Sequence, residues 1–113
     1  MSSLHTRTDV ARTVGPADAV ANDHVVPYYI DDRKLRISVA RVDDRLYAFD
    51  DLCTCGEPPC PLSGGLLTGT TIMCQCHGST FDITTGTVIT GPATETLGVY
   101  DVQEVDGCIQ VHA

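Results

Sequence analysis

Five of the six cysteines fall in one stretch of the chain, as Cys53-Thr54-Cys55, Cys60 and Cys74-Gln75-Cys76-His77. Thiolates beside an imidazole select zinc or an iron–sulfur cluster, because soft sulfur donors disfavour magnesium and calcium. Two such groups on two separate loops can grip one cofactor from both sides. Which cofactor it is decides what the protein does.

The flanking residues narrow that choice. Asp51-Leu52 precedes Cys53, and Pro61-Leu62-Ser63-Gly64-Gly65 follows Cys60. After His77 come Gly78-Ser79-Thr80-Phe81-Asp82, Thr85-Gly86 and Gly91-Pro92-Ala93. These motifs resemble the Rieske [2Fe-2S] family, from about Val14 onward and most strongly between Tyr47 and Ala93. That family supplies one Cys and one His from each of two loops, so one iron carries two thiolates and the other two imidazoles. Here the first pair reads Cys53-Thr54-Cys55, and no histidine lies between His24 and His77. Carried over position by position, the resemblance implies Cys53 and Cys74 on one iron and Cys55 and His77 on the other. Cys60, Cys76 and the remote His24 stand as alternatives to Cys55.

High-potential members of the family join two further cysteines in a disulfide between the loops, and Cys60 and Cys76 occupy matching places. Glu57-Pro58-Pro59 lengthens the first loop by about two residues relative to those members. In them, a Ser hydroxyl bonds a bridging sulfide and a Tyr hydroxyl bonds a ligand sulfur. Ser79 stands at the Ser place and Phe81 at the Tyr place, so one bond that favours reduction is missing. Gly91-Pro92-Ala93 matches a proline loop that covers the cluster from a third side, with Pro92 at its centre. An oxidised cluster with two imidazoles is neutral, whereas three thiolates leave it one negative charge and make it harder to reduce. The expected potential lies between two-His centres, roughly −150 to +300 mV, and plant-type ferredoxins at about −400 mV, nearer the lower end.

The resemblance implies a Rieske-type ferredoxin, a one-electron carrier rather than a catalyst. Its expected partners are an NAD(P)H-dependent flavin reductase upstream and a terminal oxygenase or similar acceptor downstream. Two other readings compete. One is a Rieske-fold small subunit of a reductase, such as assimilatory nitrite reductase. The other is a structural zinc module, since zinc accepts a Cys3His tetrahedron. Zinc knuckles usually space their pairs as Cys-x2-4-Cys, which these cysteines match poorly.

The elements that must position these loops read as strands. Leu35, Ile37 and Val39 alternate with Arg36, Ser38 and Ala40, the period of a strand with one buried face. Further strands are expected over Val25 to Ile30, Leu46 to Phe49, Thr70 to Met73, Thr87 to Thr90, Val99 to Val105 and Cys108 to Val111. Asp31-Asp32, Asp43-Asp44, Thr85-Gly86 and Asp106-Gly107 mark turns between them. Pro16 to Ala21 hints at one helical turn, and residues 1–12 read as a polar tail. The expected fold is a single all-β domain over 1–113. It is an antiparallel sandwich or barrel of the Rieske kind, with a cluster-binding subdomain inserted over about residues 50–82. Cys108 reads as a small buried side chain, and His5, His24 and His112 as surface residues. Tyr47 and Phe49 read as core.

At 113 residues the chain suits one core. On that length the mononuclear iron domain of ring-hydroxylating oxygenases is not expected. Fifteen acidic residues against seven basic ones give a formal net charge of −8. That charge repels nucleic acid and anionic membrane surfaces, and steers the protein toward basic patches on redox partners. The first residues lack the apolar core of a signal peptide, and no run is long enough to span a bilayer, so a soluble, cytoplasmic protein is expected.

Overall fold

The computed structural model describes residues 11–54 and 60–113. Cys55 and the Glu57-Pro58-Pro59 extension lie outside the described residues. Ten strands follow in chain order: β1 (Ala11–Pro16), β2 (His24–Ile30), β3 (Leu35–Val42), β4 (Arg45–Asp50), β5 (Leu66–Thr68), β6 (Thr71–Met73), β7 (Thr80–Asp82), β8 (Val88–Thr90), β9 (Val99–Val105) and β10 (Cys108–His112). They form two antiparallel sheets. The larger runs β1-β10-β9-β4-β3-β2 and the smaller β5-β6-β7-β8. The all-β antiparallel architecture is the one expected, and no helix among the described residues is long and apolar enough to cross a membrane.

Turn chemistry sets the hairpins of the larger sheet. Asp43 and Asp44 both take positive φ (51° and 65°) between β3 and β4, as do Asp106 and Gly107 (52° and 77°) between β9 and β10. Two consecutive left-handed residues match the right-handed twist of the strands they join. Pro27 has no N–H to give a ladder, and it sits in β2, the outer strand beside β3.

Three sequence expectations shift. Ala11 and Arg12 belong to β1 and pair with His112 and Val111, so the expected tail over 1–12 is shorter; residues 1–10 lie outside the described ones. The segment has no clear alternation, and its order comes from the edge of β10. β5 and β7 are additional strands of only three residues each, too short to show a period. The inserted sheet also continues past Asp82 to Thr90, because Phe81 of β7 pairs with Val88 of β8.

Packing explains why β3 is buried on both faces. Ile37, Val39, Ala48, Ile109 and Val111 fill the core inside the larger sheet. Ala40, Val42 and Phe49 instead join Leu62, Ile72, Phe81, Ile83 and Leu97 in a second core beneath the inserted sheet. Ser38 and Ala40 are therefore buried where the alternation alone predicts exposure. The inserted unit rests on a rigid floor, with Cys53 and Cys74 packed into the same second core.

Candidate metal centre

Two loops rise from that floor. The first leaves β4 at Asp50 and passes Cys53, which is buried and donates its N–H to the Cys60 carbonyl at 2.9 Å. A short 3-10 turn, Leu62–Gly64, then leads into β5. The second loop joins β6 to β7. It is closed by Cys74 N–H to the Ser79 carbonyl at 2.8 Å and Gly78 N–H to the Cys74 carbonyl at 2.9 Å. Gly78 takes φ +78°, a conformation that side chains rarely adopt, although a Cβ there would meet open space. The tight turn leaves Cys74 buried while Cys76 and His77 are exposed.

Cys60 and Cys76 are joined by a disulfide, with Cα atoms 6.4 Å apart. Their sulfurs and that of Cys74 all lie within 4.8 Å of one another, so the bridge spans the two loops directly beside a candidate ligand. In the bridged state neither Cys60 nor Cys76 offers a thiolate. Cys74 and Cys108 are outside any disulfide. Cys53 is itself disulfide-bonded in this structure, so its use as a metal ligand requires that bond to be opened.

A third loop, between β8 and β9, is hydrogen-bonded to the other two. It contains a cis Gly91–Pro92 bond and is fastened near its middle. Ala93 N–H donates to the buried Ser79 Oγ at 3.0 Å, and Thr54 Oγ1 donates to the Glu95 carbonyl at 2.7 Å. The disulfide links the first loop to the second, Ser79 links the second to the third, and Thr54 links the third to the first. The three loops form a closed ring.

The sequence and the fold have counterparts. The Rieske [2Fe-2S] domain matches residues 11–101. The chain belongs to the Rieske [2Fe-2S] domain family. Among its relatives, "Ferredoxin CarAc" of Metapseudomonas resinovorans is 40% identical over 75 residues, covering 66% of this chain and 68% of the relative. The anthranilate 1,2-dioxygenase ferredoxin subunit of Burkholderia cepacia is 37% identical over 76 residues, covering 67% and 68%. In structure, the Sphingomonas yanoikuyae B1 ferredoxin superposes with a TM-score of 0.82 at 26% identity, covering 92% of this chain and 99% of that one. A chain from the complex of reduced oxygenase and oxidized ferredoxin in carbazole 1,9a-dioxygenase gives a TM-score of 0.79 at 30% identity, covering 90% and 92%.

The donor chemistry of this Rieske domain fits a [2Fe-2S] cluster, the family's cofactor. A buried thiol at Cys74 offers a soft donor out of water, and an exposed imidazole at His77 lies at the rim. When bound, the cluster takes up and releases one electron. Ser79 accepts through its oxygen from Ala93, which leaves its own O–H proton available to a neighbouring acceptor. Phe81 is fully buried in the second core and brings no hydroxyl. Cys108 is partly buried in β10, on the larger sheet and away from both loops.

Sequence reasoning missed the two carboxylates at the end of β4. Asp50 accepts from Gly98 N–H at 2.9 Å and from the Tyr100 hydroxyl at 2.5 Å, which pins the return of the third loop to β9. Burial, together with that bond to a carboxylate, holds the Tyr100 phenol well above its usual range. Asp51 is fully buried. Its carboxylate accepts from Ser38 Oγ at 2.6 Å, from Ser63 N–H at 2.8 Å and from the Arg36 guanidinium. Burial alone would push the Asp51 carboxyl up, but the bonds from Ser38, Ser63 and Arg36 outweigh it and hold it below the usual carboxylate range. The one available signal was the pair of acids immediately before the first cysteine loop.

Proposed function

We propose that this protein is a cytoplasmic Rieske-type ferredoxin. It carries single electrons from an NAD(P)H-dependent flavin reductase to a terminal oxygenase, with Cys53, Cys55, Cys74 and His77 as the cluster ligands. The observation that carries this reading is the pairing of a buried Cys74 with an exposed His77 on one loop, bridged through Cys60–Cys76 to the loop that bears Cys53. Buried sulfur keeps a cluster from water, and a histidine at the rim brings its outer edge close to a partner. Relatives named as ferredoxin components of naphthalene 1,2-dioxygenase systems in Pseudomonas support the pairing with an oxygenase. The net charge of −8 suits short-lived encounters with basic docking faces.

With three thiolates and one imidazole, the cluster is one charge more negative than its two-His counterpart, which suits acceptance from a low-potential flavin donor only when its own potential remains above that donor. The test is the absorption spectrum of freshly purified protein, the electron paramagnetic resonance of its dithionite-reduced form, and its potential. Visible charge-transfer bands and a one-electron signal are expected, and Cys55→Ala should abolish them. A colourless sample holding one zinc per chain overturns the reading. An unchanged spectrum in Cys55→Ala moves the fourth ligand elsewhere.

A further inference from the structure

Asp51 is the only fully buried charged side chain among the described residues, and it sits two positions before Cys53. All of its polar groups are engaged. Its N–H donates to the Arg36 carbonyl at 3.1 Å and its own carbonyl accepts from Leu62 N–H at 2.5 Å. Its carboxylate accepts from Ser38, Arg36 and Ser63. Three of these partners are groups of Arg36 and Ser38 on β3; the other two belong to the Leu62–Gly64 turn just after Cys60. The first loop thus begins and ends on one residue, with the Cys53–Cys60 backbone bond between.

The charges at this anchor are unequally hydrated. The Arg36 side chain is 46% exposed and that of Asp51 is 0% exposed. Water screens the guanidinium far more than the carboxylate, so the field reaching the loops from this pair is that of an anion only partly offset. We propose that Asp51 positions the first loop and acts as a fixed buried anion that lowers the reduction potential of the cluster, with Arg36 as its partial counter-charge. This rests on the cluster reading above.

Two single variants and their double separate charge from structure. Asp51→Asn keeps an oxygen to accept from Ser38 and Ser63 but removes the charge. Arg36→Gln removes the opposite charge. Measured by voltammetry on the cluster-loaded protein, Asp51→Asn should favour reduction by roughly tenfold, about 59 mV upward. Arg36→Gln should shift the potential downward by less, and the double variant should return toward wild type. A purely structural role predicts cluster loss or shifts of the same sign. Equal signs, or shifts below about twofold, overturn the electrostatic claim.

Amide hydrogen exchange of the cluster-free full chain tests positioning separately. Asp51→Ala should speed exchange at Cys53, Leu62 and Ser63 by about tenfold or more relative to Val102, with Asp51→Asn recovering much of the protection. Unchanged exchange at these three amides overturns the positioning claim. A wild-type protein that binds no cluster refutes the proposed function, and this second measurement still decides the anchor.

Discussion

Removing the Cys60–Cys76 bridge with the double substitution Cys60→Ser/Cys76→Ser is expected to lower stability without discharging the cluster. The two residues are 16 apart in sequence. Closing a loop of that size in the unfolded chain is worth about 3 kcal/mol on the chain-entropy account. For a domain of this size that is roughly 12 °C in Tm, taking about 4 °C per kcal/mol. Side-chain packing adds little, since Cys76 is exposed and Cys60 only partly buried.

The assay is thermal unfolding followed by far-ultraviolet circular dichroism together with the visible absorption of the cluster. Cys108→Ala serves as a control distant from the loops. Wild-type protein treated with a reductant strong enough to open the bridge should unfold near the double variant. A Tm loss below about 3 °C, or one matched by Cys108→Ala, would refute the entropic argument. Disappearance of the visible bands on substituting Cys60 alone would show that its sulfur binds iron rather than its neighbour.

Ser79→Ala strands the buried Ala93 N–H and should cost about 1–3 kcal/mol in urea unfolding; it should also lower the potential if the hydroxyl proton faces the cluster. Tyr100→Phe should cost about 1.5–3 kcal/mol at neutral pH, because a bond to the Asp50 carboxylate is lost. The Tyr100 pKa is raised on folding. Its contribution is therefore fully present below the unfolded phenol pKa of about 10 and is lost as pH rises toward the higher folded value. Unfolding measured from neutral to strongly alkaline pH should show that decline in wild type and a shallower one in the variant. With His77 as the single histidine ligand, the potential should fall with a limiting slope of about −59 mV per pH unit. A slope near twice that would require a second ligand histidine.

The strands of the larger sheet were largely legible because turn chemistry and alternation agree there. Asp43-Asp44 and Asp106-Gly107 end their hairpins where positive φ is needed. β1, β5 and β7 were not: Leu66–Thr68 and Thr80–Asp82 lie within the stretch read as cluster-binding loops, and Ala11–Pro16 is ordered by its partner rather than by its own pattern. The burial of Ser38 was hidden for a related reason: the chain cannot announce that a second unit will cover the outer face of β3. At the site, cysteine and histidine types marked the loops, while the acids that hold those loops carry no motif. Asp50 and Asp51 look like ordinary solubilising charge until their partners, Ser38, Ser63, Gly98 and Tyr100, are brought to them from distant positions.

Adjacent residues at a strand end point to opposite sides, and Asp50 with Asp51 turns that rule into a division of labour. Asp51 fastens the first loop to β3 and Asp50 fastens the return of the third loop to β9. Above them, the Cys60–Cys76, Ser79–Ala93 and Thr54–Glu95 links close the ring among all three loops. An electron carrier gains from such fixity. If the loops had to rearrange each time the centre changed charge, every transfer would carry that reorganisation as part of its barrier. Dipoles and charges held in place by groups already bonded to one another need not move. The same ring leaves His77 exposed, so the rim of the centre stays open to a partner.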